Sequence, residues 1–315
     1  MHTPVLLEQV IEALDIKKDG LYVDATFGEG GYSQTILEKG GKVLGIDWDE
    51  EQYQISNIKY QKYISLLRQG FEGQAKIKNL KMANGNFKDI ERIAKENDFF
   101  PVDGVVFDLG LSMKQISESG RGFSYKKLNE PLDMRMSLKS ETKASDLVNH
   151  LSESELYEVF AKNSEEINSQ AVAREIVHKR QFRKLETVND LINSIDKAID
   201  GQDKSVYQRI FQALRIEVNQ EFDNLKKGLI GASKIINEEG KIVVISFHSL
   251  EDRIVKQFFR QEARGCLCPP EFPVCRCGHK AQLTLITRKV ITPSLEEIKQ
   301  NYRARSAKLR VAEKI

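Results

Sequence analysis

The sequence predicts an α/β fold, a parallel sheet interrupted by an all-helical insertion. Three observations predict it. Short apolar runs at 21–26, 42–47 and 102–109 each end near an acid or a glycine. Helical patterns alternate with these runs, and the alternation then stops through a stretch with no buried strand before it resumes.

The first run, Leu-Tyr-Val-Asp-Ala-Thr at 21–26, enters a glycine-rich turn from Phe27 to Gly31. A helical pattern over 32–39 stops at Gly40-Gly41, where glycine relieves the backbone at a helix end. Residues 42–47 form a second apolar run ending in Asp47, so strand, turn, helix and strand make a βαβ unit. Residues 50–80 read as mainly helical, with apolar positions at Tyr53, Ile58, Ile64, Leu67, Ile77 and Leu80. A short third strand follows at 81–83 and a fourth at 102–109. From 112 to 131 the chain reads as loop, and helical patterns then occupy 144–160, 165–182 and 187–200. One long helix at 205–237, strands at 241–247, 283–287 and 307–312, and a helix at 250–262 complete the series. The expected organisation is a first catalytic part at 1–112, an inserted helical substrate-recognition domain at 113–204, and a second catalytic part at 205–315.

At 40% hydrophobic and 30% charged, the 315 residues have the balance of a globular chain rather than a disordered one. No apolar run approaches the ~20 residues that span a bilayer, so no membrane partner is expected. The opening residues lack a basic stretch followed by an apolar core, which predicts no secretory leader and a cytoplasmic location. Net charge is only +2, but basic residues cluster at 174–184 and 299–310 and acidic ones at 47–51 and 153–166. Such clusters are either solvated helix faces or patches that hold phosphates. The oligomeric state stays open, with a homodimer among the alternatives.

The turn reads Asp24-Ala-Thr-Phe-Gly-Glu-Gly-Gly-Tyr-Ser33. Its G-x-G-G spacing differs from the G-x-G-x-x-G of dinucleotide sites, and it lacks the Gly-Lys-Ser/Thr of a P-loop. That disfavours a nicotinamide-dependent oxidoreductase and triphosphate hydrolysis. Asp47 stands where a carboxylate accepts ribose hydroxyls, and Asp24, Asp47 and Asp108 come from three strand ends at one sheet edge. An acid-lined pocket suits a nucleoside carrying positive charge better than a pyrophosphate. Each acid taken singly also fits a turn residue.

At this point the chain resembles a known family. Asp-Ala-Thr-Phe-Gly-Glu-Gly-Gly-Tyr-Ser at 24–33, Phe-Asp-Leu-Gly-Leu-Ser at 107–112, Arg-Gly-Phe-Ser at 121–124 and Pro-Leu-Asp-Met-Arg-Met at 131–136 are similar to blocks of the 16S rRNA (cytosine-N4)-methyltransferase H family. So are Phe-Gln-Ala-Leu-Arg-Ile-Glu-Val-Asn at 211–219, Ile-Ser-Phe-His-Ser-Leu-Glu-Asp-Arg at 245–253 and Arg-Ala-Arg-Ser at 303–306. The resemblance implies a class I (Rossmann-like) S-adenosylmethionine-dependent methyltransferase sheet with an inserted helical domain. It also implies methylation of the N4 amine of a decoding-site (P-site) cytosine of 16S rRNA in the small ribosomal subunit. Carried over by position, the cofactor contacts fall on Gly30, Gly31, Tyr32, Asp47, Phe87, Asp108 and Gln115. Two positions depart from the pattern: Tyr32 stands where many members have histidine, and Met113-Lys114 replaces the commoner Ser-Pro.

Methyl transfer to an amine needs alignment, an acceptor for the amine and a route for its proton. Asp108, or the main-chain carbonyls beside it, is the candidate acceptor and catalytic residue. His248, after the fifth strand, is either a contact to base or RNA or a structural histidine. Arg121, Arg135, Arg253, Arg303 and Arg305 are candidate substrate phosphate contacts; Arg135 alternatively pairs with Asp133 to order its loop. Phe123 and Tyr125 either stack on an unpaired base or pack in the core. All four cysteines, Cys266, Cys268, Cys275 and Cys277, form two C-x-C pairs that fit a structural zinc or free thiols better than disulfides in a reducing compartment. A non-catalytic RNA assembly factor is the competing reading, and the retained glycine turn and acids speak against it.

Overall fold

The computed structural model describes residues 4–67 (side chains to 60), 79–269, 271–272 and 274–315. The chain divides into two compact units, Met1–Gly110 with Asp223–Ile315, and Leu111–Phe222. In chain order the first unit begins with α1 (Leu7–Leu14), β1 (Leu21–Asp24), α2 (Gly31–Glu38), β2 (Lys42–Asp47), α3 (Glu50–Leu67), β3 (Leu80–Asn84), α4 (Ile90–Glu96) and β4 (Val102–Asp108). The second unit holds α5 (Met113–Ser117), α6 (Ala144–His150), α7 (Glu153–Ser164), α8 (Ser169–Arg180), α9 (Val188–Ile199) and α10 (Lys204–Asn219). The chain continues through α11 (Glu221–Ile235), β5 (Ile236–Ser246), α12 (Ser249–Glu262), β6 (Leu283–Leu285), α13 (Leu295–Gln300) and β7 (Lys308–Lys314). The helical expectation over 68–78, with Ile77, lies outside the described residues, as do the side chains of Ile64 and Leu67.

The seven strands form one sheet in the order β3-β2-β1-β4-β5-β7-β6. Its first five strands are parallel, and β7 runs antiparallel between β5 and β6. Helices cover both faces, which is why the inner strands read as unbroken apolar runs rather than alternating ones. Successive residues point to opposite faces. Leu44, Val105, Phe107 and Val244 enter one core with Ile90, Leu229 and Phe259. Val43, Val106, Val243 and Ile245 enter the other with Val10, Ile36 and Leu309. Each fully buried aliphatic side chain contributes roughly 1.5–3 kcal/mol, far more than strand propensity, so packing on both faces fixes the register.

The parallel strands bring their carboxyl ends to one edge. Asp24 is paired in register with Val106 and Gly45, Asp47 with Asn84, and Asp108 with Ile245. The inserted unit has its own core, including Leu156, Phe160, Val172, Ile176, Leu191 and Ile195.

Four expectations are corrected. The helix expected over 144–160 is two, because Ser152 and Glu155 form a capping box that starts α7 anew. The single helix expected over 205–237 breaks at Gln220, whose φ of 51° is left-handed. Its first half, α10, belongs to the insertion, since Val206, Ile210, Phe211 and Leu214 continue that unit's core. The inserted unit therefore spans 111–222 rather than 113–204. Finally, the stretch 112–131 contains the short helix α5, started by a capping box between Ser112 and Gln115.

Candidate active site

The turn after β1 is built from backbone that only glycine adopts easily. Gly28 and Gly30 have φ of 51° and 75°, in the left-handed region. A Cβ on Gly30 would also lie 2.4 Å from the Tyr60 hydroxyl and 2.6 Å from the Phe27 ring. Tyr60 donates to the Gly30 carbonyl (3.1 Å), and Gln52 and Ser56 donate to the Gly28 carbonyl (2.9 and 2.7 Å). The turn is thus anchored through its carbonyls, and α2 begins at Gly31 with its first main-chain N–H groups outside the helix ladder. The Tyr32 side chain is buried, and its hydroxyl donates to the Val5 carbonyl at 2.6 Å. Only the backbone of Tyr32 is therefore on offer at the turn, which explains how tyrosine is accommodated at this position.

The three strand-end acids differ in their surroundings. Asp24 is 0% exposed, accepts from the Ser33 hydroxyl (2.7 Å) and the Thr26 N–H (3.3 Å), and so ties the turn to α2. Burial pushes its carboxyl up to about 6 against those hydrogen bonds. Asp47 accepts from the Gly28 N–H (3.0 Å) and the Asp49 N–H (2.9 Å), one on each oxygen, which leaves each with a further lone pair. Asp108 has its main-chain N–H held by the Thr26 hydroxyl at 2.7 Å, while its Oδ1 is buried without a hydrogen-bond partner among the described residues. Desolvation raises Asp47 and Asp108 to about 7; for Asp108 the charge of Asp24 adds to the rise and the Tyr32 hydroxyl opposes it.

Phe87, after β3, stands edge-on to Phe107 with ring centroids 5.6 Å apart. Beside it Asn86 is buried; its Oδ1 accepts from the Lys88 N–H (2.9 Å), and its Nδ2 has no partner among the described residues. Asn86 is not among the candidates that the sequence offers. The signal available was its place at the end of a third parallel strand, next to Phe87.

The fold gathers Gly30, Gly31, Tyr32, Asp47, Phe87 and Asp108 at one sheet edge, and the other candidates lie elsewhere or are otherwise engaged. Gln115 lies in the inserted unit, where its Oε1 accepts from the Ser112 N–H (3.0 Å). Arg121 is 6% exposed and donates to the Arg135 and Met136 carbonyls (3.2 and 3.0 Å). Arg135 grips Asp133 with two hydrogen bonds of 2.7 and 2.8 Å, the alternative foreseen for it. Phe123 is buried in the inserted core, and Tyr125 packs against Tyr207 and Phe211. His248 caps α12: its Nδ1 accepts from the Glu251 N–H (3.4 Å) and its Nε2 lies 3.1 Å from Glu251 Oε1. Arg253, Arg303 and Arg305 are exposed, and Arg305 lies over the Tyr302 ring at 4.7 Å. The four cysteines gather in the loop between α12 and β6, with all Sγ atoms within 4.8 Å of one another.

A sheet of this order, with a glycine turn and acids at its carboxyl edge and an all-helical insertion after β4, is a Rossmann-like methyltransferase domain. The model of the MraW methylase family matches residues 1–315, and the chain belongs to that family. "Ribosomal RNA small subunit methyltransferase H" of Clostridium botulinum (strain Loch Maree / Type A3) is 42% identical over 320 residues, covering 100% of this chain and 99% of the relative. The protein of the same name from Thermomicrobium roseum is 43% identical, covering 100% and 94%. A solved rRNA methylase structure from Streptococcus thermophilus is a remote likeness, 10% identical at a TM-score of 0.41, covering 100% of this chain and 99% of that one. Among the described residues, no helix is long and apolar enough to cross a membrane.

Proposed function

We propose that this chain is a cytoplasmic enzyme that methylates the N4 amine of a decoding-site (P-site) cytosine in 16S rRNA of the small subunit, with S-adenosylmethionine as donor. The relatives' shared name supports the RNA class. The observation that carries the chemistry is Asp108 Oδ1, a buried oxygen at the end of β4 without a partner among the described residues.

The residues fit the donor. Asp47 retains acceptor capacity for ribose hydroxyls, and the N–H groups at the start of α2, outside the helix ladder, suit a carboxylate. Asn86 Nδ2 is a buried donor beside Phe87 without a partner among the described residues, as a nitrogen heterocycle requires. Two raised carboxyls favour a positively charged ligand, which stabilises their ionised forms. When bound, S-adenosylmethionine supplies a methyl group already activated by positive sulfur.

What remains for the protein is to hold the amine and manage its proton. A cytosine amine is a poor nucleophile because its lone pair is delocalised into the ring. Asp108 Oδ1, accepting one N–H, favours the pyramidal nitrogen that frees this lone pair. A carboxyl near 7 sits at the operating pH, where a general base is most effective. The Thr26 hydroxyl fixes the main chain of Asp108, so the strand end that carries the acceptor is held.

The test is transfer of tritium-labelled methyl groups to small subunits from cells lacking this chain, followed by mass analysis of the nucleosides. N4-methylcytidine at one decoding-site position is expected. Label in another nucleoside, or none with donor affinity intact, overturns the reading.

A further inference from the structure

Segment 263–282 leaves α12 and returns to β6 through a closed neck. The Gln282 N–H donates to the Glu262 carbonyl at 2.8 Å, and Gln282 Oε1 accepts from Lys314 Nζ at 2.8 Å. Beyond the neck, no described residue from 264 to 280 is buried, and Leu267, Phe272 and Val274 face solvent. A loop of this length without an apolar core needs another device to hold one shape.

Its centre is made of sulfur. Cys266 and Cys275 are 3.3 Å apart, Cys266 and Cys277 3.8 Å, and Cys275 and Cys277 3.6 Å. None is disulfide-bonded. A zinc ion with four Zn–S bonds of about 2.3 Å sets its tetrahedral edges at about 3.8 Å, which these spacings approach. Each C-x-C arm also turns main-chain N–H groups onto sulfur. Leu267 donates to Cys277 (3.3 Å), Cys268 to Cys266 (3.4 Å) and Arg276 to Cys268 (3.3 Å). Such donors stabilise thiolates rather than thiols. Exposed Arg264, Arg276 and Lys280 offset the double negative charge that four thiolates leave around a divalent ion.

From this cluster we infer that Cys266, Cys268, Cys275 and Cys277 bind one structural zinc ion, which orders the α12–β6 loop. Binding releases four thiol protons and involves no oxidation. The site is distant in chemistry from methyl transfer and serves to fix a basic, aromatic-bearing surface loop.

The full chain, purified with reductant and without chelator, should carry one zinc per chain by elemental mass analysis. Replacing zinc with cobalt should give the absorption of a tetrahedral four-thiolate centre. Cys266→Ser with Cys277→Ser should lower occupancy at least tenfold and speed proteolysis between 263 and 282, while donor affinity stays unchanged. Metal-free protein whose four thiols all titrate, two disulfides under the same conditions, or full zinc retention by the double variant would each overturn the inference. The cobalt spectrum of the unsubstituted chain keeps the test decisive if the double variant misfolds.

Discussion

Asp24, Asp47 and Asp108 occupy equivalent strand ends, yet burial assigns them different tasks. Asp24 is sealed from solvent and tied within the turn through both oxygens, Asp47 is less buried and keeps acceptor capacity, and Asp108 holds an oxygen without a partner among the described residues. The acids and glycines were legible in the sequence because residue type and spacing reveal them. Which atoms lack partners among the described residues was not, and Asn86 therefore stands outside the sequence candidates. Asp108→Asn should lower kcat by about 10²–10³-fold, the range for losing a general base or a charge-stabilising group, while donor affinity falls less than tenfold. Equal losses in single-turnover and binding measurements would assign Asp108 to binding only. Asp47 and Asp108 also couple pH to stability. They hold a proton up to about 7 in the folded chain against an ordinary 3.8. Their contribution to stability is therefore fully present below pH 3.8 and is lost as pH rises through about 7. A cationic donor favours the ionised acids, so its affinity should strengthen by up to roughly tenfold per pH unit for each acid it ionises on approaching pH 7, with proton release. Calorimetry in two buffers of different ionisation enthalpy checks this, and a flat profile would contradict it.

At the scale of elements, the parallel strands were readable because burial on both faces leaves an unbroken apolar run. Helix limits were less so. The break at Gln220 carries no glycine or proline, and only the shift of apolar contacts from one core to another accounts for it. The start of α12 shows the same limit, because the sequence leaves His248 open between an RNA contact and a structural histidine, and it forms a capping box with Glu251. His248→Ala should therefore cost about 1 kcal/mol in a denaturation midpoint, and His248→Asn should recover most of it, since asparagine caps well. A contact to RNA would instead raise KM in both variants without rescue.

For the whole molecule, the two units have separate cores, and that of the insertion includes α10. Residues 111–222 expressed alone should give a helical circular dichroism spectrum and a cooperative melt, without affinity for the donor. A gradual, non-cooperative loss of signal would show that the insertion depends on its host. The insertion was evident in the sequence from the missing strands, but its exit point was not, since an apolar stripe on a helix does not say which neighbour it faces. Because the host is assembled from two distant stretches, β4 finds β5 only after the whole insertion has intervened. Closing so long a gap is slow, whereas helices built from nearby residues form early. An insertion that condenses first would act as a splint, shortening the search between the halves it separates. Substitutions in its interior would then delay the maturation of the catalytic edge even where they leave the finished enzyme untouched.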